Sequence, residues 1–557
     1  MTAPSHPAAR AFAEARGLAR AVEAAPAGAR VRAIAMILVA AFALVGLRAA
    51  QLAFTAAPEP KRVNAAAQTV SRGDVVDRNG ILLATTVPAF VLTATPRDVV
   101  DPVAAAAKLA RVLPDLDLAL TAKRLGQTNR GLVQLRRGLT PRQRQAIFDL
   151  AIPGVGFGPD QRRFYPQGAL ASHVIGQVDA DLAGAAGAEH ALDAAIRRAG
   201  VADRAVRLTI DVRIQHALES ELARAAKDAR ARGGAGLVVD GRTGETLALA
   251  SFPPIDANAN WRLDDPARVN RAVASVYEMG STIKPFTFAQ ALDLGVVATT
   301  SKIDVSPLKI GDVVRTDPHP LDSPAPLTLA LAKSSNVAAA RLALQIGGAR
   351  QRSMFEKLGL LRKSDVELAE SARPIAPAPA ANDDLTVAVL GYGHGLAISP
   401  AALAGAYTVF ANRGARAPLT LVAGGERAPL EPVFSPASAA TIIGMMRAVV
   451  EEGTGAGALA SGADLIGKTG TAEKPRAPGA AYDSDRMLSS FVAMFPSREP
   501  RYVVVLALDE PERTAEVGGQ ATGGAVAAPA AGRLVARIAP MLPTVAPASL
   551  AAGDAKP

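Results

Sequence analysis

Residues 33–47 form an unbroken apolar run that follows Arg10, Arg16, Arg20, Arg30 and Arg32 and continues through Arg48 and Gln51 to Phe54. Such a run can cross a membrane as a helix. Its unbroken part is shorter than the ~20 residues a bilayer core requires, so Arg48 is expected to lie near the outer interface and snorkel outward. The arginine excess ahead of the run places residues 1–32 in the cytoplasm, residues 33–54 in the membrane and everything beyond outside. A cleaved signal peptide is the alternative. The segment before the run is long for a signal n-region, and no clean small-x-small cleavage site follows it.

The exported part must hold itself together without disulfides, because none of the 557 residues is cysteine. That absence also excludes a Cys nucleophile, Cys-ligated zinc and Fe–S clusters. With 49% hydrophobic and 20% charged residues, the chain is globular and can bury a sizeable core. Sixty-one basic residues against 51 acidic ones leave a net charge of +10, scattered along the chain. Nucleic acid is therefore not an expected partner, and an anionic envelope surface fits as well.

Residues 55–69 are Ala/Pro-rich and read as a linker. Residues 70–96 alternate into strands around the turn Asp77-Arg78-Asn79-Gly80, and helical patterns follow at 102–112 and 141–150. A boundary is expected at 207/208. Beyond it come a long helix over 214–231, a hairpin of strands 237–240 and 246–250, a late hairpin of 487–495 and 502–508, and a helix over 523–538. Strands at both ends of a region with helices between them suggest one sheet assembled from distant segments. Residues 540–557 are Ala/Pro-rich and read as a disordered tail.

Ser281-Thr282-Ile283-Lys284 opens an apolar-periodic segment, which puts Ser281 and Lys284 one turn apart on one face of a helix start. A serine hydroxyl needs a base to become a nucleophile, and a lysine whose pKa is depressed by burial and nearby cations can serve. Alone the pattern is weak, since an ordinary Ser N-cap explains it, and Ser306-Pro307-Leu308-Lys309 matches it too. Two companions alter the reading: Ser334-Ser335-Asn336 after a helical pattern at 327–332, and Lys468-Thr469-Gly470-Thr471 before the late hairpin. The order S-x-x-K, S-x-N, K-T-G is that of the penicillin-binding proteins and class A β-lactamases. There the K-T-G strand walls a cleft: its lysine and hydroxyls hold a substrate carboxylate, its backbone donates to an oxyanion, and Gly470 lets substrate approach.

The segments Asn270-Arg271-Ala272-Val273, Tyr277-Glu278-Met279-Gly280-Ser281, Lys333-Ser334-Ser335-Asn336-Val337 and Gly467-Lys468-Thr469-Gly470-Thr471-Ala472 resemble the class B penicillin-binding proteins, in particular the cell-division branch. Arg72-Gly73-Asp74-Val75-Val76-Asp77-Arg78-Asn79-Gly80 and Phe164-Tyr165-Pro166 resemble the pedestal of that class. Met279 stands where family members usually carry Pro, a change that removes no chemical group.

The resemblance implies an α/β (α+β) transpeptidase fold over residues 208–539, with an antiparallel sheet and a helical part, preceded by a β-rich pedestal over 70–207. It implies a septal peptidoglycan D,D-transpeptidase of the bacterial inner membrane, needing no cofactor or metal. Ser281 would attack the D-Ala-D-Ala donor, Lys284 would be the base and Ser334 would relay protons. Asn336 would orient Lys284 and the substrate amide, Lys468, Thr469 and Thr471 would bind the terminal carboxylate, and the Ser281 and Thr471 N–H groups would hold the oxyanion. The acceptor is an amine of a neighbouring stem. Other implied partners are β-lactams, a membrane glycosyltransferase and division proteins. A scaffold or β-lactam sensor without catalysis, and a D,D-carboxypeptidase, are the competing readings. His394, in a Gly-rich loop, is read as structural.

Overall fold

A computed structural model describes residues 26–54, 72–259, 265–378, 383–425, 427–475 and 481–543. The expected linker at 55–69 and most of the N-terminal segment lie outside them. Helix α1 (Ala27–Phe54) contains an 18-residue stretch, Val31–Arg48, long and apolar enough to cross a membrane, and it is the one such helix among the described residues.

Residues from 72 onward form a second unit. In the pedestal, β1 (Asp74–Val76) and β2 (Leu82–Ala94) flank the expected turn. Asp77 closes that turn by accepting from the N–H groups of Asn79 (2.7 Å) and Ile81 (2.8 Å), and Gly80 supplies the positive φ of +89°. Helix α2 (Pro102–Val112) is capped by Asp101, with Pro102 where no N–H is needed. After α3 (Leu118–Leu125) and β3 (Val133–Leu139), a reciprocal Thr140/Gln143 capping box starts α4 (Pro141–Phe148), two residues shorter than the expected span. Strand β4 (Val155–Phe164) pairs with β2, and β5 (Ala205–Arg207) runs parallel to β1, giving the order β3-β2-β1-β5 with β4 also on β2. Leu92, Leu109, Leu125 and Ile147 form a core under these helices. Buried Glu189 accepts from Arg72 and Arg163, each at 2.6 Å, so these three buried charges are paired.

No gap in packing marks residue 208. Leu208 N–H donates to Val76, Thr209 N–H to Leu421 and Asp211 N–H to Leu247, and one apolar core contains Val75 and Leu83 together with Phe286 and Tyr407. Helix α5 begins at Val212, earlier than expected, because Asp211 caps it, and ends at Asp228. The following strand β6 (Gly233–Asp240) starts four residues before the apolar pattern. Its glycines let α5 settle on the sheet: a Cβ at Gly234 would lie 2.9 Å from Leu222, and at Gly236 2.6 Å from Leu218.

Strand β7 (Thr246–Phe252) pairs with β6, and the late strands β8 (Ile466–Pro475), β9 (Tyr482–Phe495) and β10 (Tyr502–Asp509) complete one antiparallel sheet, β8-β9-β10-β6-β7. Sequence ends thus meet in one sheet, as expected. One face carries α5 and the C-terminal helix Ala527–Ile538, packed through Leu218, Leu222, Val504 and Leu534. The other carries the helical layer around Pro400–Ala411, which is buried on every side. The expected tail is packed at its start: a 3₁₀ turn spans Ala539–Met541 and Tyr502 Oη donates to Pro543 O; residues 544–557 lie outside the described ones.

Candidate active site

Ser281 lies on a 3₁₀ turn, Gly280–Ile283, that leads directly into the helix Lys284–Asp293. Pro285 falls in that helix's first turn, where the missing N–H costs nothing. Gly280 is at φ +53° and donates its N–H to Gly393 O, while a Cβ at Gly393 would fall 2.0 Å from Gly280 O. The Gly391–Gly395 loop therefore buttresses the nucleophile turn, which agrees with a structural His394. Burial, then the Lys284 and Arg315 charges, hold His394's pKa down at about 4, so the ring is neutral near pH 7. Met279 is wholly buried, and its carbonyl accepts from Thr282 Oγ1 at 2.9 Å.

Ser334 and Ser335 join the helix Leu327–Ala332 to the helix Asn336–Ile346, whose N-cap is Ser335. Ser334 sits at φ +60°, an unusual conformation for a residue with a Cβ, and its carbonyl accepts from Lys284 Nζ. Lys284 Nζ also lies 2.8 Å from Asn336 Oδ1 and 3.1 Å from Ser334 Oγ. From the opposite wall, Lys468 Nζ on β8 reaches the same Ser334 Oγ at 2.9 Å and Thr469 O at 3.1 Å.

Both lysines are fully buried. Burial first, and then the charge of Lys468, push Lys284's pKa well below its ordinary value, against the opposing pull of Asp317. Burial brings Lys468 down to about 7. Lys284 Nζ has three acceptors in reach, Ser334 O, Asn336 Oδ1 and Ser334 Oγ, one for each N–H of an ammonium; once a proton has left, the lone pair can accept from Ser334 Oγ–H instead. Lys468 then donates to Ser334 Oγ. The hydroxyl is thus a link along which a proton can pass between the two amines. Among the described residues no hydrogen bond joins Lys284 to Ser281; their proximity rests on their one-turn separation.

On β8, Thr469 is buried and its hydroxyl lies 2.6 Å from Thr454 Oγ1, while Thr471 Oγ1 accepts from Gly523 N–H at 3.0 Å. Gly470 has a role beyond the expected approach of substrate. A Cβ there would lie 2.6 Å from Met279 O and 2.3 Å from Ser490 Oγ, so its absence lets the nucleophile turn lean on β8. Ser306, the decoy, is exposed near a two-stranded surface ribbon and donates to Asp304.

Two residues escaped the motif reading. Asp317 accepts from Ser335 Oγ (2.5 Å), Asn336 N (2.6 Å) and Val337 N (3.0 Å), fixing the S-S-N segment from a loop with no periodic pattern. Thr454 ties the two cleft walls, its N–H donating to Ala332 O and its hydroxyl meeting Thr469. The flanking Gly453 and Gly455 signal a turn and nothing more.

Sequence comparison matches the penicillin-binding protein transpeptidase domain to residues 234–536 and the penicillin-binding protein dimerisation domain to residues 67–197. The chain is 44% identical over 483 residues to a probable peptidoglycan D,D-transpeptidase FtsI of Caulobacter vibrioides, covering 85% of this chain and 81% of that one. It is 30% identical over 503 residues to a probable peptidoglycan D,D-transpeptidase PenA of Neisseria gonorrhoeae, covering 83% and 84%. Among solved structures, penicillin-binding protein 3 of Mycobacterium tuberculosis complexed with aztreonam superposes with a TM-score of 0.67 at 25% identity, over 85% of this chain and 96% of that one. With a dimerisation domain ahead of a transpeptidase domain that brings all three motifs to one cleft, the chain belongs to the class B penicillin-binding proteins.

Proposed function

We propose that the chain is the serine D,D-transpeptidase of septal peptidoglycan synthesis. Ser281 attacks the penultimate D-Ala carbonyl of a donor stem as Lys284 takes the hydroxyl proton. The proton passes by Ser334 to the leaving D-Ala, and the acyl group moves from Ser281 Oγ to the amine of a neighbouring stem. Asn336 orients Lys284 and the substrate amide. Lys468, Thr469 and Thr471 bind the terminal carboxylate, Gly470 keeps the strand accessible, and the N–H groups of Ser281 and Thr471 receive the oxyanion. β-Lactams acylate the same serine. The observation that carries this reading is the shared Ser334 hydroxyl between two buried lysines, one with its pKa pushed well below the ordinary value.

In the same proposal residues 1–32 are cytoplasmic, 33–54 span the inner membrane, 55–69 link, 70–207 form the pedestal, 208–539 the transpeptidase domain and 540–557 the tail. The catalytic domain is periplasmic and works at the division site beside a membrane glycosyltransferase and other division proteins.

The test is product analysis with a D-Ala-D-Ala pentapeptide donor and an excess of a D-amino acid. Exchange of the terminal D-Ala for the added amine supports transpeptidation. Hydrolysis alone assigns a carboxypeptidase, and no turnover assigns a scaffold.

A further inference from the structure

A large cavity among the described residues lies away from Ser281, in the pedestal. It encloses about 1160 Å³ between β3, β4 and the loop at residues 257–259. Among the described residues its lining holds seven arginines against three aspartates. Internal pairing consumes part of this charge: Arg136 meets Asp115 at 2.5 Å and Arg137 meets Asp160 at 2.9 Å. The side chains of Arg130 and Arg162 have no ion pair or hydrogen bond among the described residues, so two guanidinium forks stand ready in a groove otherwise rich in amide side chains.

We infer that this groove docks an extended acidic peptide segment of a partner protein. Guanidinium groups recognise carboxylates bidentately, and Gln and Asn side chains suit the backbone groups of an extended chain. Among the described residues the lining offers sugar rings no exposed aromatic platform: its one aromatic, Tyr165, is 4% exposed and its hydroxyl accepts from Val178 N–H. The groove also touches Arg268, on the 3₁₀ turn Pro266–Arg268 that precedes the segment leading to Ser281, so an occupant contacts both pedestal and transpeptidase domain.

The experiment uses the full chain in detergent and a fluorescein-labelled oligoglutamate of about ten residues, with binding read by anisotropy. Saturable binding is expected, and Arg130→Glu/Arg162→Glu should weaken it roughly tenfold by turning two attractions into repulsions at a screened surface. The milder Arg130→Gln/Arg162→Gln should weaken it about threefold if the reversal perturbs folding. A fluorescent penicillin should label the variants at the wild-type rate. Arg224→Glu/Arg230→Glu, at exposed arginines outside the groove, should leave binding unchanged. Equal loss in that control would reduce the effect to bulk charge, and absence of saturable binding would overturn the docking site. Tighter binding by soluble peptidoglycan fragments, lost in the same groove variants, would reassign the groove to the wall polymer.

Discussion

Lys284 and Lys468 meet at a single hydroxyl, and burial depresses the pKa of both; in the proposed mechanism Lys284 is the base and Lys468 the carboxylate's cation. Lys284→Arg should then abolish penicillin acylation as completely as Lys284→Ala, because a guanidinium cannot accept the proton; stopped-flow labelling checks this. The second-order acylation rate should rise with pH as Lys284 loses its proton and fall above about 7 as Lys468 loses its own. Saturating ligand should move the upper limb to higher pH, since a bound carboxylate favours the ammonium. Lys468 also acts on stability. Its folded pKa lies below the ordinary 10.5, so between about 7 and 10.5 the unfolded chain binds more protons and stability rises with pH. Asp317→Asn places an amide where three donors converge and should slow acylation ~10- to 100-fold, the worth of a hydrogen bond to a charged group. Thr454→Val should weaken binding of a carboxylate-bearing ligand about fivefold, for one lost bond of ~1 kcal/mol, with rescue by Thr454→Ser. The groups proposed to react could be picked out of the sequence because their chemistry demands fixed residue types at short spacings, and the fold brings Lys284, Ser334, Asn336 and Lys468 together. Asp317 and Thr454 could not, because each acts across a fold-made contact 15 or more residues from its partner.

Elements pack through glycines, and the same substitution has unlike costs at different joints. Gly470→Ala sets a methyl against the Met279 carbonyl, which is backbone and cannot yield without moving Ser281. Acylation should be lost and the thermal midpoint lowered, by ~1–3 kcal/mol of overpacking. Gly236→Ala meets only the end of the Leu218 side chain, so labelling should stay near wild type with a small drop in melting temperature. This packing also explains why residues 233–236 were unreadable as strand. Glycines there look like a turn locally, whereas the close approach of α5 selects them. The hairpins and long helices were legible because their apolar periods match the faces they bury.

At the scale of the whole molecule, every catalytic motif lies in the unit that begins after residue 70, whose core runs without interruption from pedestal to transpeptidase sheet. The chain lacking residues 1–54 should therefore be soluble and acylate normally, yet fail to support growth in cells depleted of the full-length protein, because tethering supplies the effective concentration at membrane-bound substrate. The domain order was legible from composition and motifs, but the seamless join at residue 208 was not, since backbone bonds such as Leu208 to Val76 carry no side-chain signature. The most direct test is intact-mass and peptide-mapping analysis of the full chain after benzylpenicillin. A single adduct on Ser281, absent from Ser281→Ala while that variant melts within ~1 kcal/mol of wild type, is the predicted result. An adduct that persists in Ser281→Ala, or maps to Ser306 or Ser334, would contradict it.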